Sequence, residues 1–115
     1  MAYNQKTGQL GEELACRYLI KKGYKIVERN KRFSRNCEID IIAYDKDTLV
    51  FIEVKTRTSD KCGTPFEAIT RHKYDNIKTG LYTYLSQMSE KKRYRIDAVS
   101  VMLKPEIKIE HLKNI

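Results

Sequence analysis

Two segments of the chain, residues 38–44 and 49–55, are rich in β-branched and aromatic residues, and the four polar residues 45–48 separate them. This pattern predicts a β-hairpin. With a turn centred between Lys46 and Asp47, one face of the hairpin is wholly apolar and should pack into a core. The pairs predicted on this face are Ile39 with Val54, Ile41 with Ile52, and Ala43 with Val50.

The opposite face of the hairpin carries charge at the end away from the turn. The same register places Asp40 opposite Glu53 and Glu38 opposite Lys55. Closer to the turn this face is also apolar, and strands that are apolar on both faces are usually central and covered on both sides. The three carboxylates and the ammonium are therefore expected to line a cleft.

The opposed carboxylates of Asp40 and Glu53 call for a positive partner. Opposed β-carbons lie about 5 Å apart, and at that distance two full negative charges repel by about 3 kcal/mol at an effective dielectric constant of 20. Lys55 or a bound divalent cation could supply the positive charge. The pattern is equally compatible with an ordinary ion pair between Glu38 and Lys55, while the other two acids are solvated or one of them is protonated.

A first helix is predicted from about Leu10 to Lys22, where apolar residues recur at helical spacing, and Gly23 should end it. Glu12 falls at the border of the apolar stripe. It either points along the core surface toward the hairpin or is a first-turn glutamate that complements the helix dipole, and the pattern alone favours the second interpretation.

A second helix is predicted to begin with Thr64 as its N-cap and to run to about Met88, with Ile69 on its inner face and a weak point at Gly80. Lys73 interrupts the apolar stripe of this helix. Its methylenes either pack while the ammonium reaches solvent, or the ammonium points to a site beside the sheet.

The remaining strands are predicted at residues 24–30, 93–103 and 106–112, with the polar run 31–36 as the connection into the hairpin. Asp97 is either a polar strand end or another inward carboxylate. The element order is then αβββαββ, which indicates an α/β fold.

At 115 residues the chain is expected to form one domain, 1–115, and 41% hydrophobic and 33% charged residues are typical of a folded soluble protein. There is no long apolar run and no signal-peptide pattern, so a cytoplasmic location without membrane contact is expected. The cysteines, Cys16, Cys37 and Cys62, match neither a disulfide framework nor a zinc site, and they are expected to be buried or half-buried thiols.

The formal net charge of +8 indicates a polyanionic partner. Its placement strengthens that expectation, because the first two basic clusters flank the carboxylate hairpin in sequence. The clusters are Arg29, Lys31, Arg32 and Arg35; Lys55 and Arg57; Arg71, His72 and Lys73; and Lys91, Lys92, Arg93 and Arg95.

Several short motifs occur in an informative order. They are Gly8-Gln-Leu-Gly-Glu-Glu-Leu-Ala, Gly23-Tyr24, Arg29-Asn30, Glu38-Ile-Asp-Ile-Ile-Ala, Phe51-Ile-Glu-Val-Lys-Thr-Arg, His72-Lys73 and Arg95-Ile-Asp97. A helix glutamate, a strand aspartate and Glu-x-Lys on the next strand resemble the PD-(D/E)xK nucleases, particularly archaeal Holliday junction resolvases. Almost the whole chain resembles the YraN family of small bacterial proteins, which are inferred to be nucleases. Ile39 stands where the nuclease signature has proline, and Cys37 where the family pattern has glycine.

The resemblance implies a restriction-endonuclease-like α/β fold, with a central mixed sheet flanked by helices. It implies that Asp40 and Glu53 bind Mg²⁺ or Mn²⁺, with Glu12 acting through a water or a second ion. Lys55 would orient the attacking water and stabilise charge on the phosphate. These four residues form the implied catalytic set.

Other residues are implied to assist. Glu38 and Lys73 would support the site, and the phosphate backbone would be held with little base specificity. The residues expected in that second role are Arg29, Arg32, Arg35, Arg57 and Lys73.

The implied activity is hydrolysis of phosphodiester bonds in structured or branched DNA, with DNA favoured over RNA and a homodimer as one form the protein could take. Two other functions are compatible with the sequence. One is a non-catalytic nucleic-acid-binding module that keeps the nuclease fold, and the other is an interaction protein whose hairpin charges form only structural pairs.

Overall fold

Residues 5–58 and 69–115, which the computed structural model describes, contain two helices and five strands. The strands form one sheet in chain order, in which the third and fourth strands are parallel and the other neighbours antiparallel. The predicted αβββαββ order and the mixed α/β sheet are thereby confirmed. The elements are α1 (Gln5–Lys21), β1 (Lys25–Ser34), β2 (Cys37–Asp45), β3 (Thr48–Arg57), α2 (Arg71–Ser86), β4 (Arg93–Met102) and β5 (Lys108–Leu112).

The two helices cover opposite faces of the sheet. Alternate residues of β3 belong to different apolar clusters, because successive side chains of a strand point to opposite faces. The cluster under α1 includes Ala15, Leu19, Ile41, Ala43, Val50, Ile52, Val54, Val99 and Val101. The cluster under α2 includes Ile39, Ile42, Leu49, Phe51, Ile77, Leu81 and Ile96. The central, doubly covered position predicted for the hairpin strands is therefore confirmed.

α1 ends at the predicted glycine but starts earlier than predicted. Gly23 has φ of 96°, a left-handed conformation that favours glycine. The N–H of Gly23 donates to the Ile20 carbonyl and the N–H of Tyr24 to the Leu19 carbonyl, both at 2.9 Å, which is the Schellman pattern. Because the helix begins at Gln5, Glu12 lies in its middle, and the interpretation of Glu12 as a first-turn glutamate is wrong.

β1 is longer than predicted. The polar run 31–36, expected to be a connection, continues the strand to Ser34 and leaves only a short turn before Cys37. β1 lies at the edge of the sheet, where charged residues are tolerated because one side of the strand faces solvent. Phe33 alone among residues 31–36 packs into the apolar cluster under α2.

α2 begins later than predicted. Thr70 is its N-cap, and the Thr70 hydroxyl accepts a hydrogen bond from the Lys73 N–H, so Ile69 precedes the helix. The predicted start at Thr64 lies outside the described residues. Gly80 is a point of close approach rather than a weak point, since an added Cβ there would lie 2.9 Å from Phe33 and 3.0 Å from Cys37 Sγ. Of the two described helices, neither is long and apolar enough to cross a membrane.

Cys16 and Cys37 are buried free thiols, as predicted, and Cys62 lies outside the described residues. The Cys37 thiol donates a hydrogen bond to the main-chain carbonyl of Asn76, with 2.9 Å between sulfur and oxygen. This bond joins the first residue of β2 to α2. It contributes to the close packing of the helix against the sheet beside Gly80.

Candidate functional site

The hairpin has the predicted register, and its ladder stops at the carboxylates. Paired positions run from Asp45 opposite Thr48 to Ile41 opposite Ile52. Beyond that point the side chain of Asp40 takes the place of a main-chain partner, because its Oδ2 accepts a hydrogen bond of 2.8 Å from the Val54 N–H. The β2–β3 seam therefore ends at a carboxylate rather than at a further ladder pair.

The alternation of β2 breaks at the same point. Ile39 was predicted to share a face with Ile41 and Ala43, but it packs with Ile42 and Phe51 under α2. That prediction is wrong, because Ile39 and Ile42 can share a face only if regular two-residue alternation is interrupted between them. The interruption falls at Asp40, and it directs the Asp40 carboxylate toward β3 instead of leaving it perpendicular to the sheet.

Burial gives the carboxyl group of Asp40 an unusual proton affinity. Desolvation, followed by the negative charge of Glu53, raises the pKa of Asp40 to about 8. The Val54 N–H and the Lys73 ammonium act in the opposite direction, and Glu12 adds a smaller upward contribution. Asp40 is therefore mostly protonated at neutral pH while no cation is bound.

Glu53 is buried, at 5% exposure, and it contacts α2. Lys73 Nζ lies 2.6 Å from Glu53 Oε2. The Lys73 ammonium is therefore directed at a site beside the sheet, which was the second of the two interpretations of this residue. Thr70 helps to fix that position, because it caps the helical turn on which Lys73 stands.

Glu12 approaches the same end of the seam from α1. Burial is the main cause that raises its pKa, and the charges of Glu38 and Glu53 also contribute, whereas a hydrogen bond from Asn30 and the charge of Arg29 lower it. The neighbouring residue Gly11 permits this approach, because a Cβ at that position would overlap the side chain of Thr56 on β3.

Glu38 and Lys55 do not form the predicted cross-strand pair. The carboxylate of Glu38 lies 3.3 Å from Arg32 instead, at the exposed edge of the site. The ladder between β2 and β3 ends before it reaches these two residues, which explains why they are not opposed. Lys55 is half-buried, and since it is two residues from Glu53 it lies on the same face of β3.

The basic residues predicted to hold phosphate lie on several elements. Arg29 contacts Glu13 at 3.1 Å, and Arg32 also donates to the main-chain carbonyls of Ser34 and Arg35. Arg35 is exposed in the turn between β1 and β2, and Arg57 is half-buried at the end of β3. Arg29 and Arg32 thus line the outer edge of the sheet beside the carboxylates.

The carboxylates offer a partial donor set for a metal. In residues 5–58 and 69–115, no three His, Cys, Asp or Glu side chains are arranged to hold one ion. Mg²⁺ in proteins is commonly bound by one or two carboxylates, while waters and substrate phosphates complete its coordination. Asp40 and Glu53 fit that pattern, whereas Glu12 is near them but does not join them in one ligand set.

One residue of the site received no role from the sequence. Asn30 has a left-handed backbone with φ of 53°, which asparagine tolerates better than most residues, and its side chain bonds to Glu12. The Arg29-Asn30 motif was the available signal. The contact itself depends on the path of β1 past α1, which the local sequence pattern does not contain.

Asp97 belongs to a separate buried network. It is fully buried, so it is an inward carboxylate, and it accepts hydrogen bonds from Arg95, from His111 at 2.7 Å and from the N–H of Asn114. The pKa of Asp97 is below its usual value, because these hydrogen bonds outweigh the effect of burial. The network ties β5 and the residues after it to the middle of the sheet.

Comparison with known proteins identifies the family. A family model described as "Uncharacterised protein family UPF0102" matches residues 11–101. A UPF0102 protein of Syntrophus aciditrophicus is 46% identical over 116 residues, which cover 99% of this chain and 91% of the relative. UPF0102 proteins of Rhodococcus opacus and Caldanaerobacter subterraneus are 43% and 44% identical, and the alignments cover 99% and 96% of this chain and 98% and 95% of the relatives. The chain therefore belongs to the UPF0102 family, the YraN family that its motifs resemble.

Proposed function

We propose that this protein is a metal-dependent nuclease that hydrolyses phosphodiester bonds in structured or branched DNA. The observation that carries the proposal is the pair of neighbouring carboxylates, Asp40 and Glu53, at the end of the β2–β3 ladder. Burial and the charge of Glu53 raise the pKa of Asp40 to about 8, so the second carboxylate of the pair retains its proton at neutral pH unless a cation displaces it. A divalent cation would compensate the pair, and carboxylate oxygens are the ligands such hard cations favour.

Asp40 and Glu53 would hold Mg²⁺ or Mn²⁺ between them. The chemistry supplied by the bound ion is polarisation of the scissile phosphate and a lower pKa for a coordinated water. The Val54 N–H keeps one oxygen of Asp40 hydrogen-bonded, which fixes the orientation of the carboxylate. Glu12 would act from α1 through a water or as a ligand of a second ion.

Two lysines have different proposed tasks. Lys55, on the same face of β3 as Glu53, would orient the attacking water and stabilise the charge that develops on the phosphate. Lys73 neutralises Glu53 through the contact of 2.6 Å. When a cation takes over that neutralisation, the Lys73 ammonium becomes available to a phosphate oxygen. Arg35 and Arg57 would hold the backbone farther from the cut, with Arg29 and Arg32 along the outer edge.

The decisive experiment combines metal titration with cleavage. Calorimetric titration with Mn²⁺ should give a binding signal for the wild type and none for Asp40→Ala or Glu53→Gln. Incubation with Mg²⁺ and four-way, flapped, single-stranded and plain duplex DNA should yield products with the wild type only. Asp47→Asn is the matched control, because Asp47 is an exposed carboxylate in the turn of the same hairpin.

One observation favours a second function, a non-catalytic nucleic-acid-binding module. Lys73 already neutralises Glu53 without a metal, and a lysine in that position could bind a phosphate directly. The same experiment separates the two functions. If the wild type and Asp40→Ala bind Mn²⁺ equally and both retard DNA in a gel without cutting it, the binding module is correct and the nuclease proposal fails.

A further inference from the structure

Three aromatic rings and a lysine form a continuous stripe from α2 to β4. Tyr74, Lys78 and Tyr82 follow one another at four-residue spacing on α2, so they share one side of the helix. Lys78 Nζ lies 5.7 Å from the ring centre of Tyr74 and 6.0 Å from that of Tyr82. The ring of Tyr94 lies 6.3 Å from Tyr82 at an angle of 84°. We call these four residues the aromatic stripe.

Two rings of the aromatic stripe are exposed and do not belong to the buried core. Tyr82 is 50% exposed and Tyr94 46% exposed, although each carries a large apolar ring. Tyr74 is anchored at the other end, since its hydroxyl donates to the main-chain oxygen of Ile115 at 3.3 Å. One ring of the stripe is thus held in place, while the other two remain accessible.

Positive charge lies on both sides of Tyr94. A cavity of about 170 Å³ beside Tyr82 and Tyr94 includes Lys78 in its lining. A second cavity, of about 310 Å³, is lined by Tyr94, Lys91 and Lys92, together with the single acid Glu90. Exposed aromatic faces with interspersed lysines bind single-stranded nucleic acid, because bases stack on the rings and the lysines neutralise phosphates.

The stripe starts on the same turn of α2 as Lys73. Tyr74 directly follows Lys73, the residue that contacts Glu53. From Lys73 to Tyr82 the helix advances by about 13 Å at a rise of 1.5 Å per residue. A chain with one phosphate near Lys73 could therefore continue along the stripe.

We propose that the aromatic stripe is a binding site for single-stranded nucleic acid, with unpaired bases stacked on Tyr82 and Tyr94 and the backbone neutralised by Lys78, Lys91 and Lys92. The substrate of the proposed nuclease would then be nucleic acid that carries an unpaired segment. Only the cleavage of that substrate rests on the proposed function. The binding itself requires neither a metal nor hydrolysis.

The test is fluorescence anisotropy with a labelled oligothymidylate, its RNA counterpart and a duplex of equal length, all in the presence of EDTA. Loss of one stacked base should weaken binding of the single strand by about 5- to 150-fold, so Tyr82→Ala and Tyr94→Ala should each show that loss. Their affinity for duplex should change less than 2-fold. Tyr82→Phe keeps the stacking ring and should bind the single strand within about 2-fold of the wild type.

Ile107→Ala is the matched control, because Ile107 is a large exposed apolar residue, 57% exposed, that lies between β4 and β5 outside the stripe. The inference fails if the Tyr82→Ala/Tyr94→Ala double variant binds the single strand as tightly as the wild type, or if single strand and duplex weaken equally. Unaltered thermal unfolding of the variants excludes misfolding as the cause of a loss. If the wild type binds single strands through the stripe but cuts no DNA, the nuclease proposal fails and the stripe proposal stands. If the wild type cuts DNA but the stripe variants bind single strands as tightly as it does, the stripe proposal fails and the nuclease proposal stands.

Discussion

The carboxyl group of Asp40 is subject to opposing influences from its neighbours. Burial and the Glu53 carboxylate favour its protonated form, while the Val54 N–H and the Lys73 ammonium favour its ionised form. The first pair prevails, and the pKa lies at about 8. An unfolded aspartate titrates near 3.9, so the chain's stability and its affinity for cations should both depend on pH through this one residue.

The pH dependence of stability tests this balance directly. Between about pH 4 and pH 8 the unfolded chain has lost the Asp40 proton while the folded protein retains it, so the contribution of Asp40 to the free energy of unfolding falls as pH rises through this range. In EDTA, the stability of Asp40→Asn relative to the wild type should be greater at pH 8 than at pH 5 by at least about 1.4 kcal/mol, the equivalent of one pKa unit. Urea unfolding at both pH values measures this difference.

Asp47→Asn should show no such difference between pH 5 and pH 8. Mn²⁺ affinity of the wild type should rise across the same range, because the cation must displace the Asp40 proton. A pH-independent affinity, or equal stability differences at both pH values, would contradict the assigned pKa.

Lys73 offers a second prediction at the level of one side chain. Lys73→Met removes the ammonium and leaves the buried Glu53 carboxylate without that partner. The exposed part of the lysine reduces the effect below that of a fully buried pair, so a loss of about 1–3 kcal/mol is expected. Added Mn²⁺ should raise the melting temperature of Lys73→Met more than that of the wild type, since the cation replaces the lost charge. Calorimetric melting with and without Mn²⁺ provides the measurement.

Arg71→Ala is the comparison for Lys73, because Arg71 forms an exposed ion pair with Asp75 on the same helix. Such pairs contribute about 0–1 kcal/mol. If Mn²⁺ stabilises Lys73→Met and the wild type by equal amounts, the lysine and the cation do not compensate the same carboxylate.

At the scale of the helices and strands, two features follow directly from local sequence patterns. The β2–β3 register was predictable because a short turn and a two-residue period leave few alternatives. The end of α1 was predictable because Gly23 supplies a conformation that other residues avoid. Local patterns of this kind determined most of the fold.

Two of the errors have a tertiary cause. The polar residues of β1 form a strand because that strand lies at the sheet edge, and Ile39 changes face because the alternation of β2 breaks at Asp40, whose side chain bonds to the main chain of β3. The start of α2 at Arg71 depends on a cap at Thr70 whose sequence signal is weaker than the one at Thr64. The carboxylates were found by charge pattern, whereas the Glu12–Asn30 and Lys73–Glu53 contacts depend on how the helices cross the sheet.

The crossing of α1 over β3 yields a prediction for Gly11. An added Cβ would overlap Thr56, and the helix would have to move away from the sheet. Gly11→Ala should therefore cost about 1–3 kcal/mol by urea unfolding, despite the higher helix propensity of alanine. It should also weaken DNA cleavage more than Mn²⁺ binding, because it displaces Glu12 while Asp40 and Glu53 remain in place.

Gln9→Ala, at an exposed position of the same helix, should stay within about 0.5 kcal/mol of the wild type. Unchanged stability of Gly11→Ala would show that Thr56 can yield at no cost, and the proposed role of this close contact would then be wrong.

At the scale of the whole molecule, the net charge of +8 is set against a local concentration of acids. The carboxylates meet at one end of the β2–β3 seam, Arg29 and Arg32 lie on the edge strand β1, and Arg35 lies in the turn that follows it. The arginines would attract a polyanion to this edge of the sheet. A metal ion bound by the carboxylates would then hold one phosphate beside them.

This distribution predicts the salt dependence of duplex DNA binding. The slope of log K against log salt concentration is negative, and each phosphate contact that is removed should reduce its magnitude by about 0.9. Arg35→Ala should produce one such change and leave Mn²⁺ affinity unaltered, as anisotropy titrations at several salt concentrations would measure. Lys108→Ala, on the opposite edge strand β5, is the control and should leave the slope unchanged; equal slopes for all three proteins would refute the assignment of Arg35.

The interrupted seam between β2 and β3 has a consequence for ligand binding. On its outer sides β2 remains paired with β1 as far as Cys37, and β3 remains paired with β4 as far as Arg57. These outer ladders keep each strand extended up to the opening, while the ladder from Asp45–Thr48 to Ile41–Ile52 and the bond from the Val54 N–H to Asp40 hold the two strands together beside it. A ligand would meet a preorganised opening, and little conformational entropy would be lost when it binds. Rigid sheet, rather than a moving loop, is then what sets the separation of the two carboxylates.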